Sequence, residues 1–164
     1  EQSIWEPSAT TTKGGYQTLS NLFGGTDIEI LKLKEIIEKQ INIYKKKYKS
    51  SKDHFITKWP PKRTITAWYV KLFKKGHQKS HIHPAGWLSG VFYVKVPKTT
   101  TNHEGSIKLT LYGYDYPEDK NLPNLIHLPR DFDLILFPSS LFHQTIPFSS
   151  NDERHVVAFD LMPT

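Results

Sequence analysis

At 164 residues, with 37% apolar and 13% aromatic side chains, the chain is long enough to bury a core as one domain and too apolar to be generally disordered. The lack of cysteine excludes a disulfide framework and a thiolate zinc site, and no apolar run approaches the ~20 residues that a membrane span needs. The net charge of +6 is largely local, with Lys45, Lys46, Lys47, Lys49 and Lys52 in one run; such a run reads first as the solvated end of a helix and leaves an acidic partner or nucleic acid open.

Residues 1–25 are turn-rich, with Gly14-Gly15 and Gly24-Gly25 punctuating scattered apolar positions, and read as an arm laid over the domain. They lack the charged and apolar regions of a signal peptide, so a cytoplasmic location is expected. The chain opens on Glu1, which leaves open whether residues precede it. Thr26-Asp27-Ile28-Glu29 has capping-box spacing with Thr26 as the cap. Beyond it Ile30, Leu33, Ile37, Ile41, Tyr44 and Tyr48 recur every three or four residues, which predicts a helix over 27–48 with one face against a sheet. Pro60-Pro61 closes the helical region.

From there the apolar period is two. Strands are expected over 63–73, 87–96, 106–112, 133–137, 142–148 and 154–161, with shorter ones over 79–83 and 125–128. Turns are expected over 74–76, 97–105, 115–123, 129–131 and 149–152. Eight short strands at this spacing suggest a mainly β, double-sheet jelly roll of cupin-like architecture, with the helix packed outside the sheet. The organisation is then a supporting arm and helix, residues 1–62, and a β core, residues 63–164, in one structural domain.

Two histidines two apart on an extended segment project from the same side, so His81 and His83 can reach one ion. His143, in Phe137-Pro138-Ser139-Ser140-Leu141-Phe142-His143, is the best third ligand, brought in by folding. His77 either faces the same pocket or sits in a loop. His54, His103, His127 and His155 read as surface groups. Trp87 and Tyr69 read as core aromatics or as the mouth of a substrate pocket. No Gly-x-Ser-x-Gly elbow accompanies Ser89-Gly90.

The segment from His81 to Val94 resembles the metal-binding segment of the 2-oxoglutarate- and Fe(II)-dependent oxygenases that occur alone or at the end of tetratricopeptide proteins. The stretch from Leu136 to Phe148, followed by Arg154 to Asp160, resembles the distal motif of the same family. The resemblance covers roughly residues 63–162 and implies a double-stranded β-helix in which His81, His83 and His143 hold Fe(II). It also implies that Arg154 pairs with the distal carboxylate of 2-oxoglutarate through its planar fork, and that the Tyr93 hydroxyl helps hold that carboxylate. The expected activity is dioxygenation: 2-oxoglutarate and dioxygen are consumed, succinate and carbon dioxide leave, and an unidentified prime substrate is hydroxylated. Two features depart from the wider superfamily, where His-x-Asp is usual and a Ser or Thr often stands at the position of Val156. Three imidazoles leave one more positive charge on the metal site. That keeps two alternatives in view, a three-histidine cupin-type dioxygenase that needs no 2-oxoglutarate and a non-enzymatic metal-binding module. The oligomeric state is open.

Overall fold

The computed structural model describes residues 2–98, 103–114 and 116–164. The chain runs through β1 (Ser3–Trp5), β2 (Thr12–Thr18), a 3-10 turn (Leu22–Gly24), α1 (Ile28–Lys47), α2 (His54–Thr57), β3 (Arg63–Gln78), β4 (Leu88–Lys95), β5 (Ile107–Thr110), β6 (Asn124–His127), β7 (Leu134–Pro138), β8 (Phe142–Thr145) and β9 (Arg154–Pro163). Two antiparallel sheets result, a larger one in the order β1-β2-β3-β9-β4-β7 and a smaller one in the order β6-β5-β8. An isolated bridge between His81 and His143 adds the segment after β3 to the smaller sheet. This is the mainly β double-stranded β-helix, with six strands in one sheet and three strands plus the His81 bridge in the other. No described helix is long and apolar enough to cross a membrane.

Period-two alternation sorts each long strand between two cores. On β9, Val157, Phe159 and Leu161 point outward, where they join Ala67, Leu88 and the helix residues Ile37 and Ile41. Val156 points inward, into the space between the sheets, with Val70, Leu72, Tyr93, Leu109 and Phe137. The register Gly90↔Phe159 on β4 and β9 makes room for that packing; a Cβ on Gly90 would lie 2.2 Å from the Phe159 ring.

The helix forms where its apolar stripe predicts. Ile37 and Ile41 are fully buried, with Ile30, Leu33 and Tyr44 packed around them; burying each isoleucine contributes about 1.5–3 kcal/mol. The stripe ends one turn early, since Tyr48 caps the helix and is exposed. The N-cap is Asp27, whose carboxylate accepts from the Glu29 and Ile30 N–H groups, so the expected Thr26 cap is corrected by one residue. A carboxylate there also faces the positive helix end.

Three further expectations change. The arm is part of the larger sheet, with β2 pairing along β3 from Thr12↔Gln78 to Gln17↔Val70. The turn expected over 74–76 is an irregularity inside β3, where the register slips opposite Gly14, whose φ of +63° suits glycine. The strand expected over 79–83 reduces to the single His81 bridge. The turns expected over 97–105 and 115–123 lie partly outside the described residues.

Candidate metal centre

The three histidines come from two neighbouring segments held in register by backbone bonds. His81 N–H donates to the His143 carbonyl at 3.1 Å, and His143 N–H donates back to the His81 carbonyl at 2.9 Å. This hydrogen-bonded antiparallel pair puts both side chains on one side of the smaller sheet. His83 follows two residues on, its N–H bonded to the Ser139 carbonyl at 3.1 Å, in a turn closed by Gly86 N–H on the His83 carbonyl. The ligand nitrogens of His81, His83 and His143 all lie within 4.8 Å of one another, the one such cluster among the described residues.

Each imidazole has its Nδ1 committed to an acceptor. His81 Nδ1 meets the Lys79 carbonyl at 2.6 Å, His143 Nδ1 meets the Leu141 carbonyl at 3.1 Å, and His83 Nδ1 meets Asp160 Oδ1 at 2.6 Å. A carbonyl can only accept, so His81 and His143 carry their proton on Nδ1, leaving Nε2 as the free lone pair. Burial, reinforced by the neighbouring imidazoles, pushes His143 down to about 3. Burial likewise takes His81 to about 4, against the bond to Lys79 and with help from His83. Both rings are neutral at pH 7, the form that ligates a metal.

Arg154 and Tyr93 lie deeper between the sheets. Arg154 opens β9, is 2% exposed, and stacks with its guanidinium carbon 5.0 Å from the Tyr93 ring centre. Its Nε and one terminal nitrogen, and the Tyr93 hydroxyl, have no hydrogen-bond partner among the described residues. Burial pulls the guanidinium down and pushes the phenol up, with each group partly opposing the other's shift. Unpaired buried donors of this kind are rare unless a ligand satisfies them. A carboxylate is the group that matches a guanidinium fork and a phenol together.

Two cavities meet at the histidines. A narrow cleft is bordered by all three, Gln78, Thr145 and Arg154. A second cavity, of about 640 Å³, is lined by His81, His83, Trp68, Gln17, Asn21 and Asp160 among others. Trp68, Gln78, His81 and His83 border both. Among the described residues Asp160 is the one acid lining the larger cavity, and no described lysine or arginine lines it.

The other sequence candidates fall elsewhere. His77 pairs opposite Lys13 on β2 with its Nδ1 on the Lys75 carbonyl, outside both cavities. Tyr69 points to the outer face, bonded to His155 Nδ1 at 2.6 Å, and His155 in turn meets Glu153 at 2.9 Å. Trp87 stacks on Phe55 at 5.7 Å and donates to its carbonyl. Both aromatics are core, and the cavity aromatic is Trp68, with its centre 5.4 Å from His83. Sequence reasoning passed over Asp160. The signal was available, since 160 shares the inward parity of 154 on one strand.

The family described as "Putative 2OG-Fe(II) oxygenase" matches residues 66–160, more than half of the chain. No curated protein matches. Among solved structures, HygX from Streptomyces hygroscopicus with nickel and 2-oxoglutarate bound is similar at TM-score 0.65 and 10% identity, over 99% of this chain and 74% of that one. A Pseudomonas putida prolyl-4-hydroxylase is similar at TM-score 0.64 and 12% identity, over 97% and 77%. An oxidoreductase of the 2OG-Fe(II) oxygenase family from Burkholderia pseudomallei is similar at TM-score 0.50 and 12% identity, over 63% of this chain. This chain spans 45% of that one. At these identities the structural likeness is one of fold.

Proposed function

Since this chain belongs to the 2OG-Fe(II) oxygenase family, an oxidoreductase family that uses Fe(II) and 2-oxoglutarate, we propose that it is a dioxygenase that hydroxylates a prime substrate in the 640 Å³ cavity. Succinate and carbon dioxide are released. The observation that carries this reading is the meeting of two cavities at one histidine cluster, one of them ending on a buried arginine without an anion. A two-substrate oxidation needs that arrangement: a cosubstrate reached from one side of the metal and a C–H group from the other.

In this reading His81, His83 and His143 hold Fe(II) through Nε2. Arg154 takes the distal carboxylate of 2-oxoglutarate, and the Tyr93 hydroxyl donates to the same group. With dioxygen, bound Fe(II) and 2-oxoglutarate supply the oxidation, one oxygen atom going to succinate and the other to the substrate C–H. The chain's own residues position and exclude. The Nδ1 bonds fix each ring, and Val91 and Ile107 keep the cleft dry beside Arg154. In the larger cavity Asn21 Oδ1 accepts from the Phe23 and Ala67 N–H groups, which leaves its Nδ2 as a donor. Because Gln17 and Asn21 wall this cavity, residues 1–62 work as one unit with the core of 63–164.

A three-histidine dioxygenase independent of 2-oxoglutarate would leave Arg154 a buried cation without purpose, which disfavours it. The test is an anaerobic titration of the Fe(II)-loaded protein with 2-oxoglutarate. A visible metal-to-ligand charge-transfer band that saturates at one equivalent is expected. Absence of the band at confirmed iron loading and saturating 2-oxoglutarate would refute the proposal.

A further inference from the structure

Among the three imidazoles, His83 alone rests on a carboxylate. Asp160 Oδ1 lies 2.6 Å from His83 Nδ1, whereas His81 and His143 rest on backbone carbonyls. The carboxylate is itself held. Ser89 Oγ lies 2.7 Å from Asp160 Oδ1 and 2.8 Å from Ser139 Oγ. A hydroxyl has one proton, so Ser89 donates to Asp160 and accepts from Ser139. Ser89 and Ser139 are fully buried and Asp160 is 7% exposed. Gly86 lies against this cluster, where a Cβ would meet Ser139 Oγ at 2.6 Å. No lysine or arginine pairs with Asp160 among the described residues, and its one ion-pair partner is His83. A buried carboxylate held by two side chains, His83 and Ser89, but matched by no cation points at a positive charge beyond the imidazole.

We propose that Asp160 is a positioning and charge-compensating residue for the metal. Through the His83 Nδ1–H it returns the negative charge that a histidine at position 83, where an aspartate is usual, removes from the ligand set. The hydrogen bond also fixes the ring so that Nε2 faces the ion, and it makes that nitrogen a stronger donor. Residue 83 and residue 160 act as one unit, with the ligand on the loop and its charge on the last strand. The inference rests on the three imidazoles being a metal site.

The test compares wild type with Asp160→Asn, Asp160→Ala and His83→Asp/Asp160→Asn. Co(II) and Zn(II) affinities are read by competition with a chromophoric chelator, and the Fe(III)/Fe(II) midpoint potential by anaerobic titration. Asparagine is close to isosteric and can still accept from His83, so it removes charge while sparing geometry. The expected result is a metal affinity lowered about 10- to 100-fold in Asp160→Asn, a larger loss in Asp160→Ala, and a raised midpoint potential in both. The double variant carries its carboxylate on the metal and is expected to recover most of the loss of potential control. A role confined to folding would move thermal stability and leave the potential of the metal-loaded protein unchanged. Wild-type affinity and potential in a folded Asp160→Asn would overturn the inference while leaving the metal site standing. Failure of the wild type to bind one metal would overturn both.

Discussion

Replacing Arg154 by methionine should move two measured quantities in opposite directions. The guanidinium is buried, and its Nε and one terminal nitrogen have no partner, so without an anion it bears a desolvation cost of about 1–3 kcal/mol. Its compensation is the Tyr93 ring at 5.0 Å, a contact that contributes roughly 0.5–2 kcal/mol. Methionine is comparably long, flexible and apolar, so the protein without 2-oxoglutarate should gain on the order of 1 kcal/mol, a rise in Tm of about 2–4 °C at this size. Binding of 2-oxoglutarate should fall sharply. Losing one partner of a buried, forked ion pair costs about 3–5 kcal/mol, so Kd should weaken by roughly 10²- to 10⁴-fold. Nickel- or zinc-loaded protein avoids turnover; calorimetric titration gives Kd, and thermal melts with and without 2-oxoglutarate give both stabilities. At 100 times Kd, 2-oxoglutarate should stabilise the wild type by about 2.7 kcal/mol and the variant by almost nothing. A lower Tm with unchanged 2-oxoglutarate affinity would show Arg154 to be a structural cation and refute the argument.

Two further outcomes follow from the histidines and the sheet packing. Burial holds His143 near 3 and His81 near 4, below their ordinary 6.5. The unfolded chain therefore takes up protons below about pH 6.5 that the folded, metal-free protein cannot accept until pH 4 or lower, and linkage makes stability fall as pH drops through that window. Melts of chelator-treated protein between pH 7.5 and 4.5 should show this decline, and His81→Gln/His143→Gln should flatten it; identical slopes in the two proteins would count against the burial of these rings. Gly90→Ala, which drives a Cβ to 2.2 Å from the Phe159 ring, should cost about 1–3 kcal/mol in urea denaturation while metal stoichiometry stays at one; an unchanged midpoint would mean that β4 and β9 yield more readily than their packing implies.

What the sequence made legible was whatever depends on period. The stripe from Ile30 to Tyr44 and the alternation along residues 154–161 specify which side chains face which core, and those faces are the ones observed. The same parity put His81 and His83 on one side with His143 as the third ligand brought in by folding, and the resemblance supplied Arg154. What failed depends on tertiary register. Residues 1–25 look like an arm because β2 contains Gly14-Gly15 and few β-branched residues; it is a strand because β3 offers it an edge. Lys74-Lys75-Gly76 looks like a turn and is a bulge for the same reason. Tyr69 and Trp68 are adjacent on β3, and one residue of parity decides which of them faces the cavity.

Asp160 and Arg154 sit on one face of β9, six residues or about 20 Å of strand apart. Each is a buried charge whose described partners leave it unmatched, one negative beside the histidines and one positive at the end of the cleft. Their signs are those complementary to a metal cation and a dicarboxylate. A strand carrying both costs stability when the protein is alone and lowers the reorganisation needed when the ligands arrive, because the fields are already aimed. The histidine at position 83 therefore does not weaken the case for a metal centre. It moves the expected carboxylate from the loop to the last strand, where the same strand that holds the arginine can hold it rigidly.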